Sequence, residues 1–434
     1  MHARTVRAVA AALGVAALLG SAVLTAPASV ASEAGATSTP TIDGAGSTPS
    51  IDAGQQCTPG ERVLVSGASY LVDRLGLEQA WTLSRGAGVV VAVVDSGVEA
   101  GNVHLADALV PGASTFGDGT APADDDLFGH GTAIAGLIAA RPVDGSGVVG
   151  IAPEAQIMPV RAFEAAPEDG QSSRELAAPS AQSVTDGIRW AADHGAQIIN
   201  VSLSDDQSVD AYTDAVAYAY ARGALVIASA GNRNTADANS PDPEHFYPGE
   251  LPGALAVSGV LKDGTWDPDS SYAGEHVDIV APGQAMPSAY ISGGDCVFNG
   301  DGASSSYATA VVSGAAALVA ARYPDETPDQ WAFRLVQSAM RVSPAEPTDT
   351  VGWGEVRPVE ALALVDDGTL PGPPSPMHPR ADPEPEDSRV ISIEPDADPL
   401  APARAIVGWG LGGAATISAI MLLLARGRAR RPRP

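Results

Sequence analysis

Four short segments carry residue types that together could perform acyl transfer. Asp95 follows the apolar run Gly88–Val94 and precedes Ser96-Gly97. Its carboxylate is therefore expected at the C-terminal edge of a buried strand, where open α/β sheets keep their sites. His130 lies between Gly129 and Gly131 in Asp126-Leu127-Phe128-Gly129-His130-Gly131-Thr132, at the start of a small-residue helix. Glycines on both sides let the main chain come close to an imidazole that must reach a nucleophile. Ser306 ends the polar loop from Asn299 and opens an apolar helical stretch. Backbone N–H groups and the helix dipole there favour negative charge on a bound carbonyl oxygen. Asn232 ends Ala228-Ser229-Ala230-Gly231-Asn232, and its amide can donate to that oxyanion. Removing such a donor costs on the order of 3 kcal/mol of transition-state stabilisation. Each residue also has an ordinary reading: Asp-Ser-Gly and Gly-Asn as turns, Ser306 or its neighbours as a helix N-cap. His104, His194, His245, His276 and His378 lack His130's setting and read as structural or surface residues.

The elements that must position these groups alternate in type. Beyond the run before Asp95, strands are expected at Gln156–Val160, Gln197–Leu203, Ala224–Ser229, Ala254–Val260 and Val277–Val280. Helices are expected at Thr132–Ala140, Ser183–His194, Val209–Arg222 and Ser306–Arg322. This alternation predicts an α/β fold, a parallel sheet with helices on both faces, over residues 61–366. Ala166–Ala181 reads as a polar surface insertion, and residues 32–60 as a flexible arm without apolar periodicity.

Residues 1–31 have the form of a signal peptide: Arg4 and Arg7, an apolar run, then the small residues Ser29-Val30-Ala31. Residues 367–404 are Pro-rich and acidic, an extended stalk. Residues 405–425 are uncharged and as a helix would span roughly 31 Å, close to the bilayer core. The arginines of the basic tail, residues 426–434, put the C-terminus in the cytoplasm and the preceding domain outside a cell membrane that the chain crosses once. Cys57 and Cys296 in an exported chain are expected to pair, with two free thiols as the alternative. The net charge of −28, with Lys262 as the only lysine, argues against a nucleic-acid partner.

Taken together, the four segments resemble those of subtilisin-like serine proteases, the S8 or subtilase family, in the order Asp, His, Asn, Ser. Ser271-Tyr272-Ala273-Gly274 and Val277-Asp278-Ile279-Val280-Ala281-Pro282-Gly283 resemble that family's strand and turn before its serine loop. The resemblance implies a serine endopeptidase with Asp95, His130 and Ser306 as triad and Asn232 at the oxyanion. It also implies that Ser202, Leu203, Ser204, Ala230 and Gly231 hold an extended protein or peptide substrate. Leader, stalk and single anchor are similar to those of the mycosins, which implies a type VII secretion membrane complex as partner. Leu127 and Phe128 stand where mycosins carry a cysteine, so a Cys57–Cys296 bridge would replace their usual pairing. The family's Gly-Thr-Ser is Ser304-Ser305-Ser306 here, a following proline is Ala310, and a strand glycine is Ser204. The altered loop leaves a catalytically silent scaffold of the same fold as the alternative. Asp124-Asp125-Asp126 near His130 lacks the ligand spacing of a hydrolytic metal site and reads as solvated surface. No cofactor or metal is assigned; structural calcium would draw on backbone oxygens and scattered carboxylates that no pattern marks.

Overall fold

Strand burial on both faces sets the architecture. The computed structural model describes residues 57–58, 61–117, 122–164, 179–207, 209–233, 242–378 and 400–429. The expected signal peptide, most of the N-terminal arm, most of the Ala166–Ala181 insertion and the stalk's 379–399 lie outside the described residues. Strands β1 (Val90–Asp95), β2 (Ala113–Ser114), β3 (Gln156–Arg161), β4 (Ile198–Val201), β5 (Leu225–Ser229), β6 (Ala254–Val260) and β7 (Ile279–Pro282) form one sheet. Their order is β2-β3-β1-β4-β5-β6-β7, and every pairing is parallel. Along β1, Val91 and Val93 face one apolar cluster with Ile157, Ile198 and Ile227. Ala92 and Val94 face the other with Met158, Ile199 and Val226. Near-continuous apolar strands are what a sheet covered on both sides requires.

The helices are α1 (Tyr70–Arg74), α2 (Leu77–Trp81), α3 (His130–Ala139), α4 (Ala181–Asp193), α5 (Val209–Ala221), α6 (Ser305–Arg322), α7 (Pro328–Ser338), α8 (Pro358–Ala363) and α9 (Ala401–Ala429). Helices α3 and α6 cover one face of the sheet, α4 and α5 the other. Every residue of α6 from Ala308 to Ala320 is buried. Its alanines let it lie close to the sheet and to α3 and α7, and Gly314 makes room for Ile151, whose Cβ would stand 2.6 Å from an added one. The sequence pattern missed the short elements α1, α2, α8 and β2, the helix α7, and the antiparallel hairpin of β8 (Met286–Tyr290) and β9 (Gly294–Phe298). Two- to six-residue elements carry too few repeats for a period to register. Strand β4 stops at Val201, two residues before the expected end, and Ser202–Ser204 leave the sheet.

The described part of the arm is fastened to the hairpin. Cys57 and Cys296 are disulfide-bonded with Cα atoms 5.8 Å apart. Next to that bond, Asp295 N–H donates to Val63 O (2.7 Å), while Asp295 Oδ2 accepts from Val65 N–H (2.9 Å) and Ser146 Oγ (2.6 Å). Its Oδ1 lies 2.7 Å from His104 Nε2, and neither side chain has solvent exposure. His104 Nδ1 lies 2.7 Å from Arg141 O, an oxygen that only accepts, so Nδ1 is the donor in that contact. Burial alone would push its pKa down; the bonds to Asp295 and the Arg141 carbonyl outweigh burial and raise it.

The segment after α8 also lies on the domain. Pro371 O accepts from Gln337 (3.0 Å) and Arg341 (2.9 Å), and Leu364 O from Arg334 (2.9 Å). Helix α9 is long and apolar enough over Pro402–Arg426 to cross a membrane.

Removing one partner of a buried ion pair strands the other charge. His104→Ala is therefore expected to lower unfolding free energy by about 3–5 kcal/mol, measured by urea titration of the domain. Because the folded-state pKa is raised, the pair's stabilisation is full below the unfolded value of about 6.5 and is lost as pH rises through the folded value. The wild-type minus His104→Ala difference should shrink with rising pH.

Candidate active site

Strand β1 delivers Asp95 to the sheet's C-terminal edge with no solvent exposure. Its Oδ1 accepts Ser96 N–H (2.8 Å) and lies 2.8 Å from His130 Nδ1, with Oδ2 at 3.0 Å. This contact fixes the ring's orientation and leaves Nε2 as the far nitrogen. Close approach makes Gly131 necessary: a Cβ there would stand 2.1 Å from Gly97 O and 3.2 Å from Asp95 Cβ. Burial works against charge on His130, but the Asp95 carboxylate, with a contribution from Asp126, outweighs it, so the pKa is raised.

Asp126, expected on a solvated acidic loop, is buried and organises the turn into α3. Its Oδ1 accepts from Ser96 Oγ (2.9 Å), Phe128 N (3.1 Å) and Gly129 N (2.8 Å). Its Oδ2 accepts from Thr132 N (2.9 Å) and Thr132 Oγ1 (2.6 Å). A carboxylate facing the open N–H groups of a helix start is favourable on both hydrogen-bond and dipole grounds. Its place four residues before the histidine was the signal that could have found it. Among the described residues no group of three or more His, Cys, Asp or Glu side chains is arranged to hold a metal ion.

Ser306 occupies the first turn of α6 and is nearly buried. In this structure its hydroxyl donates to Ser202 O (3.0 Å), and Ser202 Oγ donates to Ser306 O (3.0 Å). Asn200, between Ser202 Oγ (2.9 Å) and Ser313 Oγ (2.9 Å), ties the same helix to β4. Ser304, standing where the family pattern has glycine, adopts φ −122° and ψ 127°, extended backbone that a serine takes without strain. The tight fit is borne by Gly283 instead, where a Cβ would meet Ser304 O at 2.4 Å. Ala310 is an ordinary buried position within α6.

A cleft of about 590 Å³ joins these groups, lined by His130, Ser202, Leu203, Ser204, Asn232 and Ser306 among others. Ala230 and Gly231 are buried, and their neighbours Ser229 and Asn232 line the cleft. Asn232 Oδ1 accepts from Ser305 N (2.7 Å) and Ser305 Oγ (2.9 Å), which turns its Nδ2 away from Ser305. The fold thus brings Asp95, His130, Asn232 and Ser306 from β1, α3, β5's end and α6 to one edge.

Residues 86–354 match the family model described as the subtilase family. The chain belongs to the subtilases. Mycosin-3 of Mycobacterium tuberculosis is 31% identical over 400 residues, covering 79% of this chain and 85% of mycosin-3. Thermitase of Thermoactinomyces vulgaris is 32% identical over 257 residues, covering 59% of this chain and 84% of thermitase. The MycP3 protease of the type VII (ESX-3) secretion system superposes with a TM-score of 0.58 at 29% identity, covering 74% of this chain and all of that one. MycP1 with its propeptide removed gives 0.59 at 28% identity, covering 69% and 99%. This subtilase is accordingly a serine endopeptidase similar to the mycosins, with the subtilisin-like parallel sheet that those structures share.

Asp126→Ala leaves three main-chain N–H groups and two hydroxyls without their acceptor. It is expected to cost about 3 kcal/mol or more of stability, read from the shift in denaturant midpoint at unchanged slope.

Proposed function

We propose that this subtilase cleaves peptide bonds with Ser306 as nucleophile, His130 as general base and Asp95 as the group that orients His130 and stabilises its cation. The observation that carries this reading is the buried Asp95–His130 contact at 2.8 Å, opening on the cleft that also holds Ser306. In the reacting state Ser306 Oγ gives up the Ser202 carbonyl and turns its proton to His130 Nε2. As Oγ forms its bond to the substrate carbonyl carbon, its proton passes to Nε2 and the C=O electron pair moves to oxygen. Asn232 and the Ser306 main-chain N–H, helped by the α6 N-terminus, hold that oxyanion. The Nε2 proton then goes to the leaving amine, and water deprotonated by His130 releases the acyl group. Ser202–Ser204, extending past β4, offer main-chain groups to an extended substrate from one side of the cleft.

Helix α9 supports a membrane anchor, and the arginines after Ala425 support an extracytoplasmic domain with a cytoplasmic C-terminus. The likeness to MycP3 supports work beside a type VII secretion complex. Removal of residues 400–434 should move the protein from the carbonate-resistant membrane pellet to the soluble fraction; a truncated chain still in the pellet would refute α9 as the anchor.

An activity-based fluorophosphonate should label the wild type and fail to label Ser306→Ala. No labelling of the wild type, where thermitase labels, would point to a catalytically silent subtilase fold. The base must be neutral to accept a proton, and its pKa is raised, so labelling should rise with pH through a value above about 6.5. Asp95→Asn should shift that limb to lower pH and slow the plateau by about 10³–10⁴-fold, measured as second-order labelling rates.

A further inference from the structure

We propose that Ser229 is a positioning residue for the oxyanion-binding amide, holding Asn232 through a one-way hydrogen-bond relay that passes through Ser305. The direction follows from groups with a single role. Gly231 N–H can only donate, and it lies 3.1 Å from Ser229 Oγ. Ser305 N–H can only donate, and it lies 2.7 Å from the Asn232 amide, so the atom facing it is the carbonyl oxygen. Ser305 Oγ stands 2.9 Å from that same oxygen and must give it its proton. Ser305 Oγ is also 2.5 Å from Ser229 Oγ, and with its own proton committed it accepts there. The relay therefore runs from Gly231 N–H to Ser229 Oγ–H, to Ser305 Oγ–H, to Asn232 Oδ1.

Ser229 is 2% exposed and Ser305 fully buried, so water does not compete for these protons. In such a setting each bond polarises the next. Two donors on one oxygen fix the amide plane, and with it the direction of the nitrogen that the proposed mechanism offers to the oxyanion. A donor fixed before the reaction needs no reorganisation when charge develops. A serine at the last position of β5 thus acts on the chemistry through Asn232. A different role is available to it, closing the β5 turn through Gly231 N–H, and the two make different predictions.

The inference rests on Asn232 being an oxyanion donor and Ser306 the nucleophile. The test uses the full chain in detergent and the second-order rate of fluorophosphonate labelling, in which the phosphoryl oxygen takes the oxyanion's place. Ser229→Ala should slow labelling about tenfold, the worth of one buried neutral hydrogen bond. Ser305→Ala should slow it at least as much, and Ser305→Thr, which keeps the hydroxyl, should label at close to the wild-type rate. In an Asn232→Ala background, Ser229→Ala should make no further difference. Wild-type labelling by Ser229→Ala overturns the relay. So does an equal slowing in both backgrounds, the pattern of a turn or folding defect. An unlabelled wild type, or Asn232→Ala labelling at the wild-type rate, instead removes the functional reading and the relay with it.

Discussion

The burial of α6 on every side is the constraint on which the cleft depends. A helix buried throughout Ala308–Ala320 has little freedom to roll or slide, because displacement would open voids against the sheet or against α3 and α7. Its first turn is consequently held at the ends of β4 and β5. Ser306 meets Ser202 there, Ser305 meets Asn232 and Ser229, and Ser313 one level deeper meets Asn200. The apolar body of the helix sets the position, and these polar contacts set the register of the hydroxyls to within hydrogen-bond tolerance.

The acidic balance of the chain does not describe its interior. Three buried carboxylates each face a defined set of partners: Asp95 meets His130 and Ser96, Asp126 the α3 entrance, and Asp295 meets His104, Ser146 and Val65. A buried carboxylate without donors would neutralise or destabilise the fold, so these positions are tied to their neighbours more tightly than the surface acids that give the net charge. Two of the three organise the strand and helix that bear Asp95 and His130. The third, on β9, ties the hairpin to the segment at Val63–Val65 that follows the arm.

The departures from the subtilase pattern fall where the backbone can absorb them. Ser304 replaces a glycine at an extended residue, and the glycine that close packing does require is Gly283, across the contact. The Cys57–Cys296 bond ties the arm to the hairpin rather than reaching the histidine loop, which Asp126 holds by hydrogen bonds.

The sequence by itself determined the sheet's inner strands, the larger helices and the four segments of the site. Long apolar runs ending in Asp95 or Asn232 and small-residue helices opening at His130 or Ser306 are local patterns, readable from composition and period. Tertiary structure alone decided what His104, Asn200 and Ser305 do and brought Ser96 to Asp126 and Ser305 to Ser229, because those partners lie outside each residue's own segment. Asp126 read as one acid among three, His104 as an ordinary histidine, and Ser229 as a strand end. Side-chain partners 30 to 191 residues away along the chain, such as Ser96 for Asp126 and Asp295 for His104, are set by the packing of whole elements and leave no period in the chain.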